Sequence, residues 1–312
     1  MESVNLGKTN LKISRLGVGT WAIGGVGWGK INDSDSIAAL RRAWDLGINF
    51  FDTADVYGQG HAEEILGQAL GENRKKAVIA TKFGVRIGQD GKTFKDIGPE
   101  YAVRALEASL RRLKIECVPL YQIHWPDAAT PIEDTMAALI KCQEQGKIMH
   151  IGYSNFSVDL IKQAESAGRG ESLQAPYNLI DRGTETELIP FCEERKITLV
   201  TYGSLAQGLL SGKIAANSKF EKDDIRGRYA DWQGEKFQQN LELAKRAGDI
   251  GKKYAKTTAQ TAIRWVLDRN PNGAALVGIT KPEHIAENIG ALDWHLAGED
   301  IKIMSKSEFV EI

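Results

Sequence analysis

Asn49-Phe-Phe-Asp-Thr-Ala54, Ala77-Val-Ile-Ala-Thr-Lys82 and Tyr121-Gln-Ile-His-Trp-Pro126 are short apolar runs, each carrying a polar residue at or near its end. Asp52, Lys82 and His124 are those residues, and Tyr57 follows just beyond the first run. Read as parallel strands, the runs place four polar side chains at successive carboxyl ends. That is one face of a barrel, where loops carry chemistry and the interior is packed.

Working outward, short β-like runs alternate with longer stretches of helical periodicity from Leu16 onward, the pattern of repeated βα units around a parallel sheet. Eight strand cores are expected: Leu16 to Gly19, Asn49 to Asp52, Ala77 to Thr81, Leu120 to His124, Ile148 to Ser154, Leu173 to Ala175, Ile197 to Tyr202 and Ala274 to Gly278. The fold class is therefore α/β, a (β/α)8 TIM barrel. Ile37, Leu40 and Trp44 fall at helical spacing, as do Val103, Leu106, Leu110 and Leu113, and Ile263, Val266 and Leu267. Each set predicts the core-facing stripe of a helix. Gly47, Gly71 and Gly146 lie just past such stripes and are expected to end helices in a left-handed conformation. Val4 to Ile13 alternates around Gly7-Lys-Thr-Asn10 and reads as a hairpin closing the barrel bottom. Leu205 to Glu235, after the seventh strand, lacks clear periodicity and reads as a long functional or mobile loop.

At 312 residues, 42% hydrophobic and 26% charged, the chain has the profile of an ordinary globular enzyme. Residues 1–312 are read as a single domain, since barrels of this kind reach this size as one unit. Forty basic against 41 acidic residues leave a net charge of −1, which gives a nucleic-acid partner little electrostatic support. No leader pattern opens the chain and no membrane-length apolar run occurs, so the expected location is cytoplasmic. Cys117, Cys142 and Cys192 are odd in number and widely spaced, and read as buried thiols in a reducing compartment. Trp44, Trp265 and Trp294 read as core.

Several motifs fail on inspection. Gly17-Val-Gly-Thr-Trp-Ala22 matches a dinucleotide pattern, but further glycines follow and helical periodicity waits until about Ser34, so no helix begins where the phosphates would sit. Gly208-Leu-Leu-Ser-Gly-Lys213 is one residue short of a phosphate loop and is followed by Ile214. No Tyr-x-x-x-Lys pair, no helical His pair and no Cys-x-x-Cys occurs, so neither a short-chain dehydrogenase nor a metal site is expected.

The four residues suit proton transfer to a carbonyl. Free tyrosine has a pKa of about 10. A Lys82 ammonium beside the Tyr57 phenol is expected to lower it, with Asp52 holding the ammonium and His124 hydrogen-bonding the reacting oxygen. Each residue alone has a structural reading: a cap, a solvated lysine, a loop tyrosine, a satisfied core histidine. Their coincidence at one barrel face favours a site.

The chain resembles the aldo-keto reductases. The motifs that carry the resemblance are Gly19-Thr-Trp21, Phe51-Asp-Thr-Ala-Asp-Val-Tyr57-Gly, Thr81-Lys82, Ile123-His-Trp-Pro126, Gly152-Tyr-Ser-Asn-Phe156, Gln174-Ala-Pro-Tyr-Asn178 and Glu287-Asn288, in family order along nearly the whole chain. The bacterial branch of inositol-operon and general-stress reductases is the nearest in pattern. The resemblance implies an NADP(H)-dependent oxidoreductase, with NAD(H) possible, acting on aldehydes, ketones or open-chain sugars. It makes Tyr57 the acid or base, supported by Asp52, Lys82 and His124. Ser154, Asn155 and Gln174 would hold the nicotinamide carboxamide and Tyr202 would stack on its ring. Thr20, Trp21 and Asp52 border the same place. Gly203, Ser204, Leu205, Gln207, Gly208, Lys213 and Arg226 would follow the pyrophosphate, and Gly278, Thr280, Lys281, His284, Glu287 and Asn288 the adenosine end.

The pattern departs from the family at Gly278, Thr280 and His284, where many members carry a lysine or arginine for the 2′-phosphate. Lys281 is the obvious replacement, while Glu283 or Glu287 on the ribose would favour NADH. Trp21, Trp28, Tyr57, His124 and Trp125 form the expected substrate pocket. Tyr229 and Trp232 either close over the site or anchor their loop in solvent. Two other functions stay open: an NAD-dependent sugar or polyol dehydrogenase, and a catalytically weak cofactor-sensing subunit, since fold does not fix function.

Overall fold

The computed structural model describes residues 1–220 and 224–306. Two short strands, β1 (Ser3–Asn5) and β2 (Lys12–Ser14), form an antiparallel hairpin. Then follow β3 (Leu16–Gly19), β4 (Phe50–Asp52), β5 (Val78–Phe83), β6 (Val85–Ile87), β7 (Thr93–Lys95), β8 (Val118–Ile123), β9 (Ile148–Ser154), β10 (Ser172–Pro176), β11 (Thr198–Tyr202) and β12 (Ala274–Gly278). β3, β4, β5 and β8 to β12 pair in parallel and close into a barrel, β12 against β3. The helices are α1 (Asp33–Asp45), α2 (His61–Leu70), α3 (Pro99–Leu113), α4 (Ile132–Glu144), α5 (Val158–Glu165), α6 (Leu188–Arg195), α7 (Gly234–Lys253), α8 (Thr258–Arg269), α9 (Pro282–Asn288) and α10 (Gly298–Ser305).

Local chemistry sets several helix starts. Asn32 accepts from Asp35 N before α1, and Ser157 from Leu160 N before α5. Thr257 and Gln260 bond each other's backbone in a capping box before α8. Ile263, Val266 and Leu267 of α8 are buried as their spacing predicts.

Leu6 and Ile13 of the hairpin are fully buried against Phe50, Val78, Leu120 and Ala274, residues near the amino ends of their strands. Closure of the barrel bottom by the hairpin, expected from alternation alone, is therefore a packing fact. It leaves the carboxyl ends of the strands as the open face.

The sequence expectations need correction in several places. Val103 points outward from α3, because Ala102, Ala105, Leu106, Ser109 and Leu113 make the buried face. Trp265 is core, but Trp44 and Trp294 are only partly buried. Cys117 lies half-buried in a bend before β8, while Cys142 and Cys192 are buried. Gly47 and Gly146 take left-handed φ values of 89° and 72°, but Gly71 pairs a φ of 54° with a ψ of −130°, outside the left-handed helical region.

The stretch from Leu205 to Glu235 carries 3₁₀ turns at Ala206–Ser211, Ile225–Arg228 and Ala230–Trp232, and α7 begins at Gly234. Residues 221–223 of that stretch lie outside the described residues. Leu209, Leu210 and Trp232 hold it to the core, so Trp232 is not a solvated anchor, and Tyr229 packs partly buried beside them. Sequence periodicity misses such short turns because none lasts long enough to repeat an apolar position. Ile225 N donates to Gly27 O at 2.8 Å, joining this stretch to the loop after β3. The hairpin of β6 and β7, which follows β5 at the open face, went unpredicted for the same reason of length.

Candidate active site

Asp52 ends β4, Lys82 lies near the end of β5 and His124 directly follows β8. Tyr57 opens a 3₁₀ turn after β4. The backbone fixes this placement: Asp55 N donates to Lys82 O at 3.1 Å and His124 N to Phe83 O at 2.7 Å. All four residues expected to carry the chemistry meet at one point.

Lys82 is fully enclosed and uses all three of its protons. They go to Asp52 Oδ1 at 2.5 Å, Thr53 O at 3.1 Å and Tyr57 Oη at 3.3 Å. Asp52 Oδ2 accepts from Gln122 Nε2 at 3.1 Å and Gln174 Nε2 at 2.7 Å. The carboxylate is thus satisfied on both oxygens and cannot turn without breaking several bonds.

Burial works against a charged Lys82, but Asp52 and Tyr57 outweigh it and hold the ammonium above its usual pKa. Part of the Tyr57 residue faces the open end, yet its hydroxyl sits deep among its neighbours. That burial raises the phenol pKa; Lys82 pulls it down, and Asp52 pushes it up again. The expected lowering by Lys82 is present but does not win, because desolvation of the phenolate is the larger effect. Tyr57 therefore keeps its proton near neutral pH.

The His124 ring meets the Tyr57 ring edge-on, centroids 5.7 Å apart. Burial, then the Lys82 charge, holds its imidazole well below the ordinary value, so the ring is neutral. Its Nδ1 is buried without a partner. A buried N–H with no acceptor is costly, so the single proton belongs on Nε2, where it can be donated into the site. A carbonyl oxygen here would meet a phenol and an imidazole N–H.

The sequence profile of the aldo/keto reductase family matches residues 15–308. The chain belongs to that family. It is 36% identical over 305 residues to the aldo-keto reductase YhdN of Bacillus subtilis, covering 97% of this chain and 92% of the relative. An NADH-specific methylglyoxal reductase of Escherichia coli is 33% identical over 320 residues, 97% of each chain. Among solved structures, a glycerol dehydrogenase of Gluconobacter oxydans superposes with a TM-score of 0.90 at 37% identity, covering 97% of this chain and 93% of that one.

As in other aldo-keto reductases, a nicotinamide cofactor is part of the chemistry, and the residues expected to hold it form a connected surface. Tyr202 Oη donates to Asn155 Oδ1 at 2.9 Å, and Asn155 Nδ2 donates to His124 O at 2.9 Å and Ser154 Oγ at 3.0 Å. This ties one end of that surface to the His124 backbone. Thr20 is buried beside Asp52, its N donating to Asp52 O at 2.9 Å and its hydroxyl unpartnered. Gly203, Gln207 and Gly208 take φ values of 70°, 54° and 99°, and a Cβ on Gly208 would meet nothing within 4 Å, so the backbone there is open to a close-lying group. Leu205 caps the same turn. Ser204 turns away, its hydroxyl donating to Leu276 O at 3.0 Å.

At the other end Lys213 Nζ donates to Glu287 Oε2 at 2.7 Å. Thr280 N donates to His284 Nδ1 at 3.4 Å, and burial, Lys213 and Lys281 together lower the His284 pKa. Gly278 and Lys281 are exposed beside them, while Asn288 is buried in α9. Two ammonium groups and an imidazole around open backbone fit a phosphate-bearing cofactor. Arg226 is anchored locally: it grips Asp224 through Nε and Nη2, the latter at 2.5 Å, and lies 4.6 Å from the Phe220 ring, a grip that does not use Nη1.

In the expected substrate pocket, Trp21 and Trp28 pack edge-on at 5.2 Å and Trp125 lies partly exposed with Lys95 Nζ 4.7 Å over its ring. Three residues escaped the sequence reading. Gln122 is buried on Asp52 but sits inside a strand run, where a polar residue between two apolar ones gave no separate signal. Lys95 comes from the unpredicted hairpin. Asp55 lies in the Phe51 to Tyr57 motif itself. Burial raises its carboxyl to about 7 while Tyr101 Oη donates to it at 2.6 Å.

Proposed function

We propose that this aldo-keto reductase, acting as one domain, transfers hydride between NADP(H) and the carbonyl of an aldehyde, ketone or open-chain sugar, with Tyr57 as proton donor. The observation that carries the reading is the 3.3 Å contact between Lys82 Nζ and Tyr57 Oη, on a lysine that Asp52 holds in place. A bound reduced nicotinamide supplies the hydride. Everything else falls to side chains of this chain. The neutral His124 donates Nε2–H to the carbonyl oxygen and orients it. As negative charge gathers on that oxygen, Tyr57 gives up its proton and Lys82 stabilises the phenolate left behind. In alcohol oxidation the same phenolate accepts the proton. Trp21, Trp28 and Trp125 offer flat faces to a sugar or aryl group.

NADPH is the preferred cofactor on this reading because Glu287, one of the two acidic residues at the adenosine end, is engaged by Lys213, while Lys281 and His284 stand beside it for a 2′-phosphate. Ser154, Asn155 and Gln174 hold the carboxamide and Tyr202 stacks on the ring. A second reading, net oxidation of a polyol with NAD, is favoured by likeness to a protein named glycerol dehydrogenase. A sensor without turnover is disfavoured by the complete proton-transfer set.

The test is titration with NADPH and with NADH, then turnover over aldehydes, ketosugars and polyols, followed at the reduced-nicotinamide absorbance. NADPH-dependent carbonyl reduction supports the proposal. NADH preference with faster polyol oxidation moves it to the second reading, and binding without turnover contradicts both.

A further inference from the structure

Three donors converge on Asp52, and one of them carries none of the family resemblance. Gln122 is fully buried inside the barrel, with Lys82 opposite it in register on β5 and Gly152 opposite it on β9. Its Nε2 donates to Asp52 Oδ2, and its Oε1 has no hydrogen-bond partner. A buried amide oxygen left unpaired costs free energy that an apolar side chain of similar volume would avoid. The barrel also makes room for this glutamine: a Cβ on Gly152 would stand 3.0 Å from Gln122 Cγ and 2.5 Å from Ser172 Oγ. A side chain kept at a cost to stability, with a glycine beside it, answers a functional demand.

Resting on the assignment of Tyr57 as the proton-transfer residue, we infer that Gln122 is a positioning residue that fixes Asp52 so that the Lys82 ammonium stays shared with the Tyr57 hydroxyl. Of the three Lys82 bonds, the one to Tyr57 is the longest. Donation from Gln122 disperses charge on Asp52, weakens its hold on the ammonium and leaves more positive field for the phenol oxygen. Gln174 makes the same contact, but it lies among the residues proposed for the carboxamide, where a bound amide competes for it. Gln122, between strands on both sides, keeps its bond throughout. The other groups facing Tyr57 are Asp55 on its own loop, His124 after β8 and Tyr202 at the end of β11. The substitutions below leave all three in place.

The experiment replaces Gln122 with Met in the full chain and records kcat against pH for reduction and for oxidation, with cofactor Kd and thermal midpoint measured alongside. Alcohol oxidation needs the phenolate. Its acidic limb should move up by about one pH unit, so that turnover on that limb drops about tenfold, while cofactor Kd holds. Gly152→Ala, which presses on Gln122, should move the limb in the same direction, and Gln122→Leu replaces either variant that fails to fold. Limbs that stay in place, or changes confined to stability or cofactor affinity, overturn the inference. Tyr57→Phe run in parallel separates the two claims: an active Tyr57→Phe protein removes the underlying assignment, whereas an inactive one with unmoved Gln122→Met limbs removes only the role of Gln122.

Discussion

Lys82 Nζ stands 2.5 Å from Asp52 Oδ1 with the two side chains 0% and 3% exposed, an ion pair closed off from solvent. Breaking such a pair from one side strands the remaining charge. Lys82→Met should therefore lower unfolding free energy by about 3–5 kcal/mol. Asp52→Asn combined with Lys82→Met should recover most of that loss while remaining inactive. Urea unfolding of the three proteins checks this; equal destabilisation of single and double variants would mean that the pair is not energetically coupled.

Asp55 supplies a pH dependence of opposite sign to that of most carboxylates. Burial raises it from 3.8 to about 7, so the folded chain holds its proton more tightly than the unfolded chain. Stability from this group is greatest below about pH 4 and falls as pH rises toward about 7. Asp55→Asn cannot ionise and keeps an acceptor for Tyr101. It should be more stable than the parent near pH 8, by up to about 4 kcal/mol, with the gain shrinking toward pH 4. Thermal or urea unfolding at the two pH values decides, and a gain independent of pH would contradict the assignment.

The Lys213 and Glu287 pair joins the stretch after β11 to α9 across the proposed adenosine end. With Lys213 along the pyrophosphate, Lys213→Ala should weaken NADPH and NADH alike by about tenfold or more, in line with roughly 1.5–3 kcal/mol for a charged hydrogen bond. Fluorescence titrations at low and high salt measure both. A loss confined to NADPH would contradict this and place Lys213 on the 2′-phosphate.

The barrel and the corner formed by Asp52, Tyr57, Lys82 and His124 were legible in the sequence because the strands are short apolar runs and three of them, β4, β5 and β8, carry a polar residue at or just past their carboxyl ends, a pattern that survives folding. Asp52, Lys82 and His124 could be placed by their run alone. What escaped has a common cause. Gln122 acts through a neighbour 70 positions away, and no local pattern marks a polar side chain that points into a barrel. The net direction of the Tyr57 pKa needs the depth of its hydroxyl, which spacing does not encode. Val103 and Trp44 satisfy helical periodicity, yet other residues make the buried faces of α3 and α1, so Val103 is exposed and Trp44 only partly buried. The pairing of Arg226 with Asp224, two residues away, also needs the turn geometry that brings them together.

The most direct test of the central claim is turnover by Tyr57→Phe, which removes one hydroxyl and leaves the ring against His124. Carbonyl reduction should fall by about 10²- to 10⁴-fold, with NADPH affinity and thermal midpoint close to the parent's. Turnover within a few-fold of the parent, with cofactor still bound, would show that the proton comes from elsewhere and that the corner formed by Asp52, Tyr57, Lys82 and His124 is not the seat of the chemistry.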